Sequence, residues 1–261
     1  MIKKLSLIVT LLLLSAVSLQ AQKVSAYFNA PYADTKTVKS NLKKEGFQVL
    51  ATYHPAGHSD QNVIVITNSK LKSLASKPKR GFAAIQRVMV DDSKKTVLAT
   101  NPKYWLKAFM QKDYQPGSAK PVKASLSKAL GKLTPTKDKL PAGKLAKYHF
   151  MLSMPYYEDM IELGAKSDVK ANKKAFDLKL ANGSRLIGVK MGKNGENFVN
   201  KIGKDKAILL PYPVLIENGK AYALHPKYYL AISYPLLSMG QFMKISGAPD
   251  TIEKKLKKAL K

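Results

Sequence analysis

The side chains best suited to bind a metal ion are the four histidines of the chain. His54 and His58 have the spacing of four that brings two imidazoles together on a helix, but the Pro-Ala-Gly between them predicts a loop. A metal site needs a third ligand, which Asp60 or a histidine from the other half of the chain, His149 or His225, would supply. A metal or haem site with these four ligands is therefore one alternative, and polar residues in exposed loops are the simpler one. No cofactor is predicted outright.

Methionines near one of the histidines raise the question of a soft-metal site. His149 and Met151 would share one face of a strand, and Met154 follows shortly after. Methionine at apolar positions usually fills a core, and we interpret these residues in that way. Met239 and Met243, which are four residues apart, receive the same interpretation.

A second candidate site is a pair of aromatic residues beside a lysine, and it occurs twice. Residues 101–106 (Asn-Pro-Lys-Tyr-Trp-Leu) return 124 positions later as residues 225–230 (His-Pro-Lys-Tyr-Tyr-Leu). Aromatic rings next to lysine could stack on a sugar or a base, or bind a lipid headgroup. Alternatively, each pair begins a helix and packs beneath a sheet, which the repetition favours. The candidate ligand-binding residues are Lys103, Tyr104, Trp105, Lys227, Tyr228 and Tyr229.

Signatures of catalysis are weak. The acidic cluster Glu158, Asp159 and Glu162 could supply the paired carboxylates of a glycosidase. The same residues fit the first turn of a helix opening at Pro155, where the helix dipole favours acids. The chain contains no nucleophile elbow, P-loop, dinucleotide-binding fingerprint or zincin signature. These patterns favour a protein that is not an enzyme, with an envelope enzyme of unidentified class as the alternative.

The charge of the chain is strongly positive. Its 45 Lys and Arg residues stand against 17 Asp and Glu residues, a formal net charge of +28. Only Arg80, Arg87 and Arg185 are arginines, and arginine is the side chain of bidentate phosphate recognition. The lysine excess therefore favours general attraction to an anionic surface, and solubility is an equally simple explanation. Nucleic acid is not an expected partner, because base-reading arginines are scarce.

The first residues predict export. Residues 1–22 have the positive start, the short apolar run and the small residues near Ala21 of a cleaved secretory signal peptide. The run is too short for a comfortable membrane span, so we expect a periplasmic protein with no transmembrane segment after cleavage. The chain contains no cysteine, which excludes disulfides and a lipid-carrying cysteine, so it is not a lipoprotein. Peripheral membrane association is possible, and the oligomeric state is left open.

The repeated motif also predicts the architecture. A self-similarity of this length indicates two like modules. In each half, strands joined by hairpins alternate with helices, which predicts an α+β fold with a curved antiparallel sheet and helices on one face. We place a first repeat domain at residues 23–134, a linker at 135–143 and a second repeat domain at 144–261.

Local signals predict individual elements. Asn218-Gly219 predicts a tight hairpin, Asp34 predicts the cap of a helix, and Asp250 with Glu253 predicts the cap of the last helix. Residues 145–154 are expected to form a strand and residues 165–174 a helical piece. Residues 115–144 have the composition of a linker, but helical spacing over residues 122–133 predicts a helix that packs on the first half.

Several segments of the chain carry a resemblance to a known family. They are residues 46–53, 63–68, 81–88 and 101–104 in the first half, and 148–151, 154–157, 224–225 and 238–243 in the second. The first half resembles the bacterial domain-of-unknown-function 302 family, with its glycine-aromatic turn, its apolar strand ending near Asn and its Asn-Pro step. The second half is similar to uncharacterised exported two-repeat relatives, but it departs by a long insertion before Ala175 and by His225 in place of Asn101.

The resemblance implies a fold similar to the TATA-box-binding-protein-like, helix-grip class, and it implies no activity. Nucleic-acid binding does not follow from the name of a fold, because function resides in sites. Together, the patterns lead us to expect an exported, non-enzymatic binding protein for an anionic or amphipathic component of the cell envelope.

Overall fold

A computed structural model describes residues 22–165 and 168–261 of the chain. It is a mixed α+β fold of open antiparallel sheets and helices, which confirms the predicted fold class. The predicted signal peptide, residues 1–22, lies outside the described residues except for Gln22.

The strands form antiparallel sheets. They are β1 (Lys23–Ser25), β2 (Tyr27–Ala30), β3 (Gln48–Tyr53), β4 (Gln61–Thr67), β5 (Gln86–Asp91), β6 (Thr96–Thr100), β7 (Thr134–Pro135), β8 (Lys139–Pro141), β9 (Ile161–Gly164), β10 (Lys174–Lys179), β11 (Arg185–Val189), β12 (Tyr212–Glu217) and β13 (Lys220–Ala223). One sheet has the order β3-β4-β5-β6-β2-β7, another has β10-β11-β12-β13-β9, and β1 pairs with β8.

The α-helices are short to medium in length. They are α1 (Thr35–Lys44), α2 (Ser69–Ala75), α3 (Pro102–Met110), α4 (Ala119–Leu130), α5 (Gly192–Glu196), α6 (Phe198–Ile202), α7 (Pro226–Ser233), α8 (Met239–Lys244) and α9 (Ala248–Ala259). Short 3-10 turns lie between them at Pro55–Gly57, Gly81–Ala84, Gln111–Asp113, Ala142–Lys147, Ala171–Lys173 and Lys204–Leu209.

The two large sheets share one strand order. Apart from β7 at one edge of the first sheet, each sheet consists of four strands in chain order followed by one earlier strand. The first sheet runs β3-β4-β5-β6 and then β2, which pairs with β6, and the second runs β10-β11-β12-β13 and then β9, which pairs with β13. This agreement supports the predicted pseudo-repeat, while duplication of one module and its helix-grip geometry stay predictions.

Local sequence signals explain several of these elements. The predicted hairpin at Asn218-Gly219 is confirmed: Glu217 pairs with Lys220, and both turn residues have the positive φ that this two-residue turn requires. The predicted cap of α1 is also confirmed, because Asp34 accepts hydrogen bonds from the backbone N–H groups of residues 36 and 37 at 2.9 and 3.0 Å.

The segment that opens the second half differs from the sequence prediction. A strand was expected at residues 145–154 and a helix from Pro155, but the chain forms a 3-10 turn and irregular turns there. Asp159 accepts a hydrogen bond from the Tyr156 N–H at 2.8 Å, so this acid closes a turn instead of beginning a helix. Of the helical piece predicted over residues 165–174, the described residues form only a 3-10 turn at Ala171–Lys173, and Val169 instead bridges to Leu260.

The side-chain cap predicted for the last helix, α9, is found on the preceding helix, α8, and is formed by different residues. The pair Asp250 and Glu253 was expected to cap the final helix, but α9 begins earlier, after Gly247, and Asp250 lies in its first turn. A capping box is found instead on α8, where Ser238 and Gln241 each satisfy the backbone N–H of the other.

The predicted linker is paired to the first half of the chain. Thr134–Pro135 forms β7 beside β2, and Lys139–Pro141 forms β8 beside β1. One cluster of buried apolar residues extends through both halves of the described chain. All seven residues of β4 are buried, so both of its faces are covered. The division into two repeat domains stays a prediction, and the residues around its joint contribute to the sheets.

Candidate functional site

The repeated aromatic motif lies in the core. Tyr104, Trp105, Tyr228 and Tyr229 are each at most 5% exposed, on the first turns of α3 and α7. The ring centroids of Trp105 and Tyr229 are 6.5 Å apart, so the two copies of the motif meet between the halves. The burial of these rings argues against their contact with a ligand and fits the alternative that each pair packs beneath a sheet. Only the neighbouring Lys103 and Lys227 are partly exposed.

Tyrosine hydroxyls donate hydrogen bonds to backbone carbonyls at the buried C-terminal end of α7. The last carbonyls of a helix have no partner within the helix. The hydroxyl of Tyr27 donates to Ser233 O at 2.8 Å, and that of Tyr104 donates to Ile232 O at 2.7 Å. Tyr148 donates to Ala231 O at 3.2 Å. Three consecutive carbonyls are thus satisfied from outside the helix, and these phenols have a structural role.

Replacing Tyr104 by Phe is expected to lower the free energy of unfolding by about 2 kcal/mol, because Ile232 O would be left buried without a donor. Urea unfolding followed by far-UV circular dichroism measures this change. Tyr32→Phe is the matched control, since that hydroxyl bonds Asp92 at an exposed position and its removal should cost less than about 0.5 kcal/mol. Equal losses in the two variants would contradict the assigned role.

Each histidine has a hydrogen-bonding partner of its own. His54 Nδ1 donates to Gln61 O at 3.2 Å, and His58 Nε2 donates to Asn200 Oδ1 at 2.8 Å. His149 Nδ1 donates to Met151 O at 2.8 Å, and its ring lies 4.5 Å from that of Tyr156.

His225 is the N-cap of α7. Its Nδ1 accepts a hydrogen bond from the Lys227 N–H at 3.2 Å. Burial, followed by the nearby Lys227 charge, lowers the pKa of His225. Within residues 22–165 and 168–261, no three His, Asp or Glu side chains form a group that could hold a metal ion. The structure therefore does not bring the four histidines together as one ligand set.

The acidic cluster is engaged in structural contacts. Glu158 forms a salt bridge with the buried Arg80 at 3.0 Å, and Glu162 forms one with Lys220 at 3.1 Å. Asp159 closes the turn at Tyr156. None of these contacts places two carboxylates across a cleft in the way that glycoside hydrolysis requires.

A buried carboxylate that sequence reasoning missed joins the two halves. Glu196, at the end of α5, is 1% exposed. Tyr53 Oη donates to its Oε1 at 2.5 Å, and the Ala56 and Met191 N–H groups donate at 2.7 and 3.2 Å. Burial raises the pKa of Glu196. The carboxylate fixes the loop that carries His54 and His58 against the second half.

The feature with the character of a ligand site is a groove of about 550 Å³ beside α3 and α4. We call it the lysine groove, after the four lysines of its lining. Apolar surface comes from Tyr114, Pro116, Ala119 and Ala142, which belong to the connection between the helices, to α4 and to the segment after β8. The four lysines are Lys103, Lys107, Lys120 and Lys123.

Helix periodicity positions these lysines. Lys103 and Lys107 are four apart on α3, while Lys120 and Lys123 are three apart on α4, so each pair shares one helix face. The two helices pack against each other. The spacing is present in the sequence, and a helix packing on the first half was predicted around residues 122–133. The facing of the two lysine pairs was missed, because it depends on how α3 packs against α4.

The charged residues that line the groove are all positive. No carboxylate belongs to its lining, and none of its four lysines forms a salt bridge anywhere in the described part of the chain. Lys103 Nζ donates to Gln22 Oε1 at 2.9 Å, and Lys107 Nζ lies 5.7 Å from the centroid of the Tyr114 ring. Burial raises the pKa of Tyr114.

A second depression of similar volume, about 560 Å³, is less suited to a ligand. It follows one side of α9, and its lining consists of charged residues of both signs. Glu253 and Lys257 already pair there at 2.7 Å. Charge that is satisfied internally offers little to a partner.

Comparisons with protein-family models, with curated proteins and with solved structures find no match to this chain. The resemblance to the domain-of-unknown-function 302 family therefore stays a prediction. In the described residues, no helix has both the length and the apolar character needed to cross a membrane.

Proposed function

We propose that the protein is an exported, non-enzymatic binding protein whose lysine groove holds an anionic amphiphile of the cell envelope. The observation that carries the proposal is the groove lining, in which four lysines without a carboxylate surround apolar surface. A ligand with a carboxylate, sulfate or phosphate head and an apolar body matches this combination. Lys103, a residue of the repeated motif, is part of it.

The volume of the groove supports a small ligand. Pockets for small molecules in proteins usually enclose about 300–1,000 Å³ and are mostly apolar with a few placed polar groups. The lysine stems add methylene surface while their ammonium groups remain in water. An amphiphile can therefore lie along the floor with its head among the ammonium groups.

The lysine charges and the apolar floor of the groove should contribute to ligand binding with different dependence on salt. Salt screens exposed charges over about 8 Å at physiological ionic strength, so the head-group contribution should weaken as salt is added. Burial of the apolar body contributes about 25 cal/mol for each Å² removed from water and does not depend on screening. Binding that falls with salt but does not vanish is the expected pattern.

The experiment compares two probes of opposite charge, dodecanoate and dodecyltrimethylammonium, both below their micellar concentrations. Isothermal titration calorimetry is performed on protein recovered from cells that express the full-length chain. Its intact mass also reports on export, since cleavage near Ala21 would leave Gln22 first. Dodecanoate should bind, and the cationic probe should bind at least about tenfold more weakly.

The variant Lys103→Gln with Lys107→Gln is expected to weaken dodecanoate binding about tenfold, which corresponds to about 1.4 kcal/mol. The matched control is Lys43→Gln with Lys44→Gln, which removes two exposed lysines from α1. Equal affinities for both probes, or an equal loss in the control, would rule out the groove as the site.

A further inference from the structure

An exposed apolar face lies on the second half of the protein, apart from the lysine groove. Leu152 is 88% exposed, Met243 is 62% exposed, and Met151, Leu236 and Met239 are also exposed. We call these five residues the apolar face. Met151, Met239 and Met243 were interpreted from the sequence as core residues, and that interpretation is wrong for all three. Large apolar side chains exposed together indicate an interaction surface.

Two stacked rings hold the segments of this face together. The rings of Phe150 and Phe242 lie 5.3 Å apart at an angle of 15°, and Phe242 is buried. Phe150 directly precedes Met151 and Leu152, while Phe242 lies on α8 between Met239 and Met243. The capping box at Ser238 fixes the start of α8. The exposed side chains thus project from an ordered base.

The two segments that carry the face contain lysines and no acidic residue. No Asp or Glu occurs in residues 139–157 or 218–249, which include both segments of the face. Lys144, Lys147 and Lys244 are exposed on the same stretches. Of the nearest acids along the chain, Glu158 pairs with Arg80, and Asp159 accepts a hydrogen bond from the Tyr156 N–H and lies beside Ser153 and Met154. Lysines therefore outnumber acids near the face.

We propose that the apolar face docks the protein onto an anionic lipid surface. The leucines and methionines would enter the boundary between headgroups and acyl chains, and the lysines would remain at the level of the anionic headgroups. Methionine suits this role because its flexible side chain adapts to an irregular environment. Attachment would be peripheral and reversible, as expected for a small apolar face supported by a few lysines.

This proposal stands independently of ligand binding in the lysine groove. It uses a different half of the chain and a different chemistry, namely partial insertion instead of enclosure of a single molecule. The two are separable by experiment, because a variant of either surface leaves the residues of the other unchanged.

Sedimentation with lipid vesicles tests the docking. Protein recovered from cells expressing the full-length chain is mixed with vesicles of phosphatidylglycerol and phosphatidylethanolamine, or with vesicles of phosphatidylcholine alone. Binding to the anionic vesicles should be strong at low salt and at least about tenfold weaker on phosphatidylcholine. Any residual contribution of residues 1–21 is common to all variants and cannot produce a difference between them.

The variant Leu152→Ser with Met243→Ser should lose at least about tenfold in partitioning to anionic vesicles, since both substitutions remove exposed apolar surface. Tyr32→Ser is the matched control, because Tyr32 is an exposed aromatic residue on the first half of the chain and its loss should leave partitioning unchanged. Thermal unfolding should be the same in all three proteins. The double variant should still bind monomeric dodecanoate, and Lys103→Gln with Lys107→Gln should still bind the vesicles.

Two results would overturn the docking proposal. One is undiminished vesicle binding by the Leu152→Ser, Met243→Ser variant. The other is a dimer in sedimentation velocity that dissociates in this variant, which would make the face an interface between copies of the chain.

Discussion

Raising the pH about one unit above 10 is expected to unfold the protein, because its core contains many tyrosines whose hydroxyls must keep their protons. Of the 13 tyrosines in the chain, seven are at most 3% exposed. Burial is the largest cause of the raised pKa in each of them. They are Tyr27, Tyr104, Tyr157, Tyr212, Tyr228, Tyr229 and Tyr234.

The direction follows from proton linkage. In the unfolded chain a tyrosine loses its proton near pH 10, while the buried residue keeps it, so above that pH the unfolded state binds fewer protons and gains stability. The stabilising contribution is complete below pH 10 and declines as the pH rises towards the folded-state pKa. Each buried tyrosine removes about 1.4 kcal/mol per pH unit, and seven together remove about 10 kcal/mol. That is comparable with the entire stability of a typical domain.

The hydrogen bonds strengthen this expectation. Tyr104 and Tyr27 donate to carbonyls at the end of α7, and a phenolate there would face a carbonyl oxygen with no proton between them. Tyr148, which is 9% exposed, belongs to the same set, and burial raises its pKa to about 12. Ionisation of these residues and loss of the contact between the halves should therefore coincide.

A pH titration from neutral to strongly alkaline conditions checks this, with far-UV circular dichroism and tyrosinate absorbance recorded on the same sample. Both signals should change together in a steep transition about one pH unit above 10. Salt at two concentrations serves as the control for general charge effects, because the lysine-rich surface also titrates in this range. Ionisation of most tyrosines with the dichroism unchanged would contradict the buried arrangement.

The part of the fold that the sequence predicts is the part governed by local interactions. Asn218-Gly219 selects a tight hairpin because both residues tolerate positive φ, and Asp34 begins a helix because its carboxylate accepts backbone hydrogen bonds. These effects act within a few residues. They are sufficient to identify the α+β class and most strands of both sheets.

The parts that were missed depend on partners distant in sequence. The segment at residues 145–160 looked like a strand and a helix by composition, but its conformation is set by contacts with other segments. Arg80 binds Glu158, and the ring of Phe150 stacks on that of Phe242. Such pairs cannot be read from periodicity. Glu196 is a similar case, since nothing in its neighbourhood along the chain indicates burial beside Tyr53.

The candidate site was anticipated only at one residue. Lys103 was selected because it adjoins a repeated aromatic pair, and it does line the groove, whereas the rings themselves turn inward. The sequence contains the spacing of all four groove lysines, but their facing depends on how α3 packs on α4. Repetition of the motif indicates a shared packing position, where an aromatic side chain from each half meets the other.

Replacing Trp105 by Ala is expected to lower the free energy of unfolding by about 4 kcal/mol, because it removes a large buried ring at the contact between the halves. The indole is 5% exposed, its Nε1 donates to Ala26 O at 2.9 Å, and its ring lies 5.3 Å from Phe109 and 6.5 Å from Tyr229. Urea unfolding measures the loss. Far-UV circular dichroism is the appropriate probe, since Trp105 is the only tryptophan of the chain.

Hydrogen exchange tests whether the two halves of the protein unfold together. If the buried cluster unfolds as one cooperative unit, amide protons in β5 of the first sheet and β12 of the second should lose protection to the same degree in Trp105→Ala. Trp105→Phe is the matched control: it keeps a ring, loses the Nε1 hydrogen bond and should cost only about 1–2 kcal/mol. Protection retained in β12 while β5 exchanges freely would mean that the halves unfold independently, and the repeated aromatic motif would then stabilise each half from within instead of joining them.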